Sequence, residues 1–406
     1  MMKASPRRAP DKTPYDNPST KACYVGVAGK ARKVKKIYTG VANKARKVKK
    51  AYVGVGGKAR LFFSAEQKLS YYGTVTPLSQ ARKRLASTTV GNYGLFGGGS
   101  AVVFDSVVYV TRYYNTVDAY STSLVRSTPA TLKEIRENLA ATTVGNYALF
   151  GGGGEQNPED LNTVDAYSTS LVHSTPATLS GGRYSLAATT VGNYGLFGGG
   201  ARYKNNRVST VDAYSASLVH SNPAPLSEGR NSLAATTVGN YGLFGGGTYY
   251  DDDNRHVYSS TVDAYNASLV RTTPTPLSKG RYSLAATTVG NSGLFGGGEY
   301  YKDGYVYPTT VDAYNASLVH STPTPLSEGR YSLAATTVGN YGLFGGGYGN
   351  GRVSTVDAYS ASLVRSTPTP LSKGRHELAA TTVGNYGLFG GGGDSGDSTT
   401  DAYTVV

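Results

Sequence analysis

GNYGLFGGG, Gly91–Gly99, looks in isolation like a glycine-rich cradle for a phosphate. The same stretch returns at Gly145, Gly192, Gly239, Gly290, Gly339 and Gly384, altered only by Ala148 and Ser292. A phosphate loop needs a helix opening behind it, or a lysine to meet the phosphates. Here each GGG runs into a variable segment and then a strand-like run, so seven copies read as a structural unit and the nucleotide reading falls away.

Successive copies lie 54, 47, 47, 51, 49 and 45 residues apart, a period that belongs to repeat architectures and decides the fold before any local motif is interpreted. One unit, Ser332–Arg375, splits into four runs. LAATTV and GLFGG flank a Gly-Asn pair that can close a two-residue hairpin. After a loop of changing length comes TVDAYS, then LVRSTPTPL, whose prolines are tolerated at a sheet edge. Each unit is expected to be a four-stranded antiparallel meander with its proline-bearing strand outermost. Helix has little support, because Gly, Thr, Ser and Val dominate and no window holds a 3.6-residue period.

Seven such sheets converging on an axis leave least room at the centre, which suits the small side chains of AATT. Phe96, Phe150, Phe197, Phe244, Phe295, Phe344 and Phe389, with the tyrosines of DAY such as Tyr120, can fill the wider space between blades. The expectation is an all-β, seven-bladed β-propeller, an arrangement that leaves only short, protected edges. Its closure is written at the chain ends: the sequence stops at TTDAYTVV, a third strand, while KLSYYGTVTPLS at Lys68–Ser79 supplies an orphan fourth.

Glycine runs after the second strand, a tyrosine in the third, an arginine opening each unit and a period near 48 resemble kelch repeats, over roughly residues 68–406. The departure is the tryptophan usual in that family's fourth strand, since the chain contains no Trp.

The net charge of +14 is unevenly placed. Residues 1–63 carry 17 Lys and Arg against Asp11 and Asp16, or +15, and the remainder has 23 basic and 24 acidic residues, or −1. That basic region repeats with a period of 14, from Tyr24, Tyr38 and Tyr52, as a short apolar run, a turn and a KARKVKK-like run, the pattern of serial β-hairpins. The domains expected are a disordered polar segment at 1–22, a basic β-repeat stalk or attachment module at 23–64, and the propeller at 65–406. Clustered Lys and Arg could attract phosphates, but base-stacking aromatics are sparse, so docking to an acidic protein surface fits better than nucleic-acid recognition. Residues 1–21 have no apolar signal-peptide core, and no stretch is long enough to span a membrane. Cys23 is the only cysteine, which excludes an internal disulfide.

In a near-identical array the exceptions inform. One set lies between the second and third strands: SAVVFDSVVYVTRYYN from Ser100, EQNPEDLN from Glu155, ARYKNNRVS from Ala201, TYYDDDNRHVYSS from Thr248, EYYKDGYVYPT from Glu299 and YGNGRVS from Tyr348. A second follows the arginine of each unit: Lys83, Glu137, Tyr184, Asn231, Tyr282, Tyr331 and His376. In a meander both leave by the same end of the propeller, so they are expected to converge on one face. The candidate ligand-binding residues are Tyr113, Tyr114, Tyr184, Arg202, Tyr203, Asn231, Tyr249, Tyr250, Asp252, His256, Tyr282, Tyr300, Tyr301, Tyr305, Tyr331, Tyr348 and His376. Their chemistry is that of paratopes, where Tyr gives contact area at low entropic cost and small polar groups adapt. The same bias resembles the outcome of adenine-directed mutagenesis by phage diversity-generating elements.

No catalytic constellation, metal site or cofactor is expected. His173, His220 and His320 align on the opposite face, too far apart to share a metal, and read as solvated turn residues. DDDN at Asp251–Asn254 and GDSGD at Gly393–Asp397 lack the full spacing of a calcium loop, and a copper oxidase of kelch form would need a cysteine inside the propeller. Arg82, Arg136, Arg183, Arg230, Arg281, Arg330 and Arg375 are expected to ring the variable face, paired between blades or attracting anions. The NAS stretches at Asn266 and Asn315 recur as repeat units and read as strand residues. The stalk resembles modules in tail and minor structural proteins of phages and prophages of Gram-positive bacteria. That resemblance implies a host-recognition protein of a virion or tail-like particle, released by lysis without a signal peptide. Its propeller would bind a bacterial surface glycan or protein, and its basic module a virion or tail protein. Membrane insertion is not expected, and homo-oligomerisation stays open. The rivals are an architectural virion protein and a kelch-type sugar isomerase or lyase, which would need a fixed acid-base group in the same face.

Overall fold

The computed structural model describes residues 68–155, 160–203 and 206–406 in full, and six strands between Tyr24 and Ser64 by their backbone. The chain divides into two units, 1–67 and 68–406. In the first, Tyr24–Val27 pairs with Lys30–Lys33, Ile37–Val41 with Lys44–Val48, and Lys50–Val55 with Lys58–Ser64, so each 14-residue repeat forms one antiparallel hairpin. The expectation for 1–22 lies outside the described residues.

The second unit is a seven-bladed propeller of four-stranded antiparallel sheets. Blade 1 is Ala86–Val90, Tyr93–Gly97, Val117–Ser121 and Arg126–Ser127. Blades 2 to 6 copy it, with first strands at Ala140–Val144, Ala187–Val191, Ala234–Val238, Ala285–Val289 and Ala334–Val338. Blade 7 takes Ala379–Val383, Tyr386–Gly390 and Thr400–Val405 from the chain end and Leu69–Val75 from before blade 1. Closure through the two ends is thus as the sequence predicts. The fourth strands are shorter than expected, two residues in blades 1 to 6, and Pro129 and its equivalents fall outside them, in the connection to the next blade. A proline has no N–H to give a ladder.

Each part of GGG has a structural reason. Gly97 ends the second strand beneath the neighbouring blade's Phe150, whose ring carbon would lie 2.7 Å from a Cβ there. The contact is repeated at every junction and closes with Gly390 beneath Phe96. Gly98 and Gly99 take φ of +69° and +102°, the left-handed half of backbone space that glycine enters without cost, and the Gly99 N–H donates to Arg136 O at 2.8 Å. Each phenylalanine meets its blade's tyrosine edge to face, as Phe96 does Tyr120 at 5.9 Å, and both are fully buried. The Tyr120 hydroxyl donates back to Thr76 O at 2.7 Å. Burial pushes its titration up to about 12.

Two closed rings surround the axis. In the first strands, a threonine hydroxyl donates to the preceding blade's backbone carbonyl: Thr143 to Thr89, Thr190 to Thr143, Thr237 to Thr190, Thr288 to Thr237, Thr337 to Thr288, Thr382 to Thr337 and Thr89 to Thr382. Just before these strands, the N–H of Arg84, Asn138, Ser185, Ser232, Ser283, Ser332 and Glu377 donates to its preceding counterpart's carbonyl, again without a break. These seven residues hold φ between +50° and +55°. A side chain there costs about 1–2 kcal/mol, and the closed ring holds the conformation in place.

The seven arginines correct the sequence reading. They are not on the face: each is at most 1% exposed, packed against the equally buried aspartate of VDAY or its blade 7 equivalent. Arg183 donates to Asp212 at 2.5 Å and to Phe197 O at 3.2 Å, and Arg281 to Asp312 at 2.7 Å. The aspartate also accepts a backbone N–H from the connection entering its blade, as Asp212 does from Ser180 at 2.9 Å. His173, His220 and His320 are corrected too. Each donates from Nε2 at 2.6–2.7 Å to Asp165, Asp212 or Asp312 and is at most 20% exposed. Arg126, Arg271 and Arg365 do the same in blades 1, 4 and 6 at 2.9 Å, and the Tyr71 hydroxyl does so for Asp401 in blade 7 at 2.7 Å.

Candidate functional site

The variable residues share one end of the propeller, and the backbone joins the two sets directly. Lys83 bridges Ser100, Glu137 Gly154, Tyr184 Ala201, Asn231 Thr248, Tyr282 Glu299 and Tyr331 Tyr348, and in blade 7 the Gly393 N–H donates to His376 O at 2.8 Å. Convergence follows from strand count, because the second strand leaves and the first strand enters at the same end. The chain enters the propeller at Lys68, paired with Val406, at the end opposite the variable loops.

Most loops rise as hairpins. Ser100–Asp105 pairs with Val108–Tyr113, Thr248–Tyr250 with His256–Tyr258, Tyr300–Tyr301 with Tyr305–Val306, and Tyr348–Gly349 with Gly351–Arg352. None of the candidate residues is buried, and Tyr203, Tyr250, Tyr301 and Tyr305 are 44–64% exposed.

Over blades 4 to 7 the structure brings many of them together as contacting rings. His256 lies 5.2 Å from Tyr250 and 4.8 Å from Tyr258. Tyr258 stacks on Tyr282 at 5.7 Å and approaches Tyr300 at 6.4 Å. Tyr301 meets Tyr305 at 5.4 Å. Tyr307 stacks on Tyr331 at 5.3 Å, Tyr331 touches Tyr348 at 5.8 Å, and Tyr348 touches His376 at 5.3 Å. Tyr113, Tyr114, Arg202 and Tyr203 stand on blades 1 and 3, outside these three groups of rings. Tyr249 and Asp252 border a cleft between the loops of blades 3 and 4, and Asn231 accepts from Arg207 Nε at 3.2 Å.

Electrostatics separates these rings from the rest of the face. Glu299, 6% exposed, sits under the aromatic loops, and burial pushes its carboxyl above the ordinary range, offset in part by a hydrogen bond from Tyr282. Burial, then Glu299, raises Tyr282 far above a free phenol, and burial pushes Tyr331 up to about 12. His256 and His376 are both lowered, by burial first, so they favour the neutral ring. At blade 1, charge replaces aromatics: Arg84 bridges Glu377 at 2.8 Å and Glu137 at 3.0 Å, and Lys83 reaches Glu377 at 3.1 Å.

Sequence reasoning did not single out Tyr258, Glu299 or a third variable set. Two residues before each buried arginine stand Gln80, Glu134, Gly181, Glu228, Lys279, Glu328 and Lys373, and Glu228 and Lys279 border clefts on this face. Aligning the SxGR stretches would have exposed them. The loop aspartates of DDDN are engaged locally: Asp251 accepts N–H groups from Asp253 and Arg255 at 3.1 and 2.8 Å, and Asp253 pairs with Arg255. Asn266 and Asn315 end third strands, where Oδ1 of each accepts two N–H groups of the following turn.

No family model matches the chain, and no curated protein matches it. The solved structure of YjhT shares the fold, with a TM-score of 0.55 at 12% identity, over 73% of this chain and 99% of that one. This propeller is a shared fold under a divergent sequence. No helix among the described residues is long and apolar enough to cross a membrane.

Proposed function

We propose that the chain is a receptor-binding protein of a phage or tail-like particle, a kelch-like propeller that recognises a cell-surface glycan or protein through its variable face. The observation that carries the reading is the convergence of two independently varying residue sets on one face, where they place three groups of contacting aromatic rings over blades 4 to 7. Aromatic rings offer flat apolar area to sugar faces or protein pockets, and neighbouring polar groups fix orientation. Within the propeller, Lys68 pairs with Val406 at the end opposite this face. The basic hairpins would dock on a structural protein of the particle. A Tyr300→Ala, Tyr301→Ala double variant of the full chain tests the site: adhesion to host cells should weaken by about 2 kcal/mol or more if these are anchor residues, with unfolding unchanged. Undiminished adhesion would remove the site.

An enzymatic reading has one foothold, the hydrogen-bonded pair of Glu299 and Tyr282. Glu299→Gln in a surface-glycan turnover assay separates the two readings: turnover in the native chain lost in the variant would favour an enzyme.

A further inference from the structure

Two clefts on the face are the same place in successive blades and carry opposite charge. The first lies between the loops of blades 3 and 4, with a volume of about 580 Å³, and its border includes Arg207, Glu228, Tyr250, Asp251 and Asp252. The second lies one blade further on, between the loops of blades 4 and 5, with about 390 Å³, bordered by Tyr258, Lys279, Tyr300, Tyr301 and Lys302. One cation and three carboxylates thus line the first, and two cations without a carboxylate the second. In both, a cation covers a tyrosine: Arg207 lies 4.3 Å from the Tyr250 ring centre and Lys279 4.7 Å from that of Tyr300.

The switch in sign begins at equivalent positions. Glu228 and Lys279 each stand two residues before the buried arginine of their blade. Glu228 is engaged by Ser259 and Arg230, and Lys373, at the same position before blade 7, pairs with Asp397 at 2.5 Å. Lys279 faces a ring, and its neighbour in the cleft is another lysine. Two acids lie close to Lys302 in sequence: Glu299 is buried beneath the loops, Asp303 is exposed beside Lys302, and neither borders the cleft.

We propose that the cleft between blades 4 and 5 holds an acidic sugar unit, its ring against Tyr300 and Tyr258 and its carboxylate or phosphate between Lys279 and Lys302. The residue two before each buried arginine then sets the charge its cleft accepts. This rests on the recognition reading of the face and narrows its ligand. An ammonium near an aromatic ring pairs with an anion while the ring packs on C–H groups of the same sugar, which matches one acidic sugar better than a neutral one.

The test is titration calorimetry of the full chain with digalacturonate as carboxylate probe, glucose 6-phosphate as phosphate probe and lactose as neutral control. The native protein is compared with Lys279→Glu, Lys302→Glu. The basic residues 1–63 are identical in both proteins, so any binding they contribute is the same in each and cancels in the difference between the two titrations. At least one acidic probe should bind the native chain and lose tenfold or more in the variant, while urea unfolding is unchanged; which probe responds tells carboxylate from phosphate. Equal binding by both proteins, a preference for lactose, or no binding of either acidic probe by the native chain would overturn the inference. Host-cell adhesion that still depends on Tyr300 would then leave the recognition reading standing, and adhesion independent of Tyr300 would sink both.

Discussion

The first strand of a blade and the loop after its second strand obey opposite rules. Thr190 donates to Thr143 O in the preceding blade and accepts at its own carbonyl from Thr237 in the next, so a change in one blade meets two neighbours that have not changed. The loop hairpins pair their backbones within their own blade, and only side-chain contacts reach the next, so a substitution there does not break a backbone bond that runs around the ring. The difference teaches why copying is so strict in the frame and absent on the face: each frame residue is both host and guest of its own duplicate.

The largest effect expected from breaking this division is at a buried arginine. Arg183→Ala leaves Asp212 charged and enclosed, and loss of one partner of a buried pair costs about 3–5 kcal/mol. Urea unfolding should report that loss, whereas Arg202→Ala on the face should stay within about 0.5 kcal/mol. Thr190→Val removes one bond of the axial ring and is expected to cost about 1 kcal/mol in the same measurement.

Acid sharpens the comparison with smaller effects. Burial alone would raise Asp212 and Asp312, but Arg183 and Arg281, with N–H donors from Ser180 and Ser278, hold both below the ordinary carboxylate value. A depressed carboxyl contributes stability that is complete above about pH 3.9 and is lost as pH falls through its lower folded value. Glu299 is shifted the other way, so its contribution is present at low pH and declines as pH rises through its raised value. Glu299→Gln should therefore leave stability at neutral pH unchanged or higher, while Asp212→Asn lowers it, as pH-dependent unfolding curves of the two variants would show.

Much of the frame was legible because the repeat period, the Gly-Asn turns and the split last blade are properties of order along the chain. Side-chain direction is not. Arg183 and His220 were placed at the right points in sequence but on the wrong surfaces, since nothing local says that both turn inward onto Asp212. The variable face was legible from the loops that refuse to repeat, and its aromatic members were mostly named. Tyr258 escaped notice at the far end of its hairpin, and Glu299 because the first residue of a loop is drawn into the bridge with Tyr282. Lys279 was hidden inside a stretch that looked copied.

The central claim is that frame and face are separable, and one exchange tests it. In the full chain, the loops beginning at Ser100, Glu155, Ala201, Thr248 and Glu299 are replaced by YGNGRVS, the loop of Tyr348–Ser354, and adhesion to a panel of bacterial cells is measured beside urea unfolding. The account predicts native-like cooperative unfolding with selective adhesion lost. Adhesion retained at full strength by a folded variant would contradict it and move the search for function to the basic hairpins.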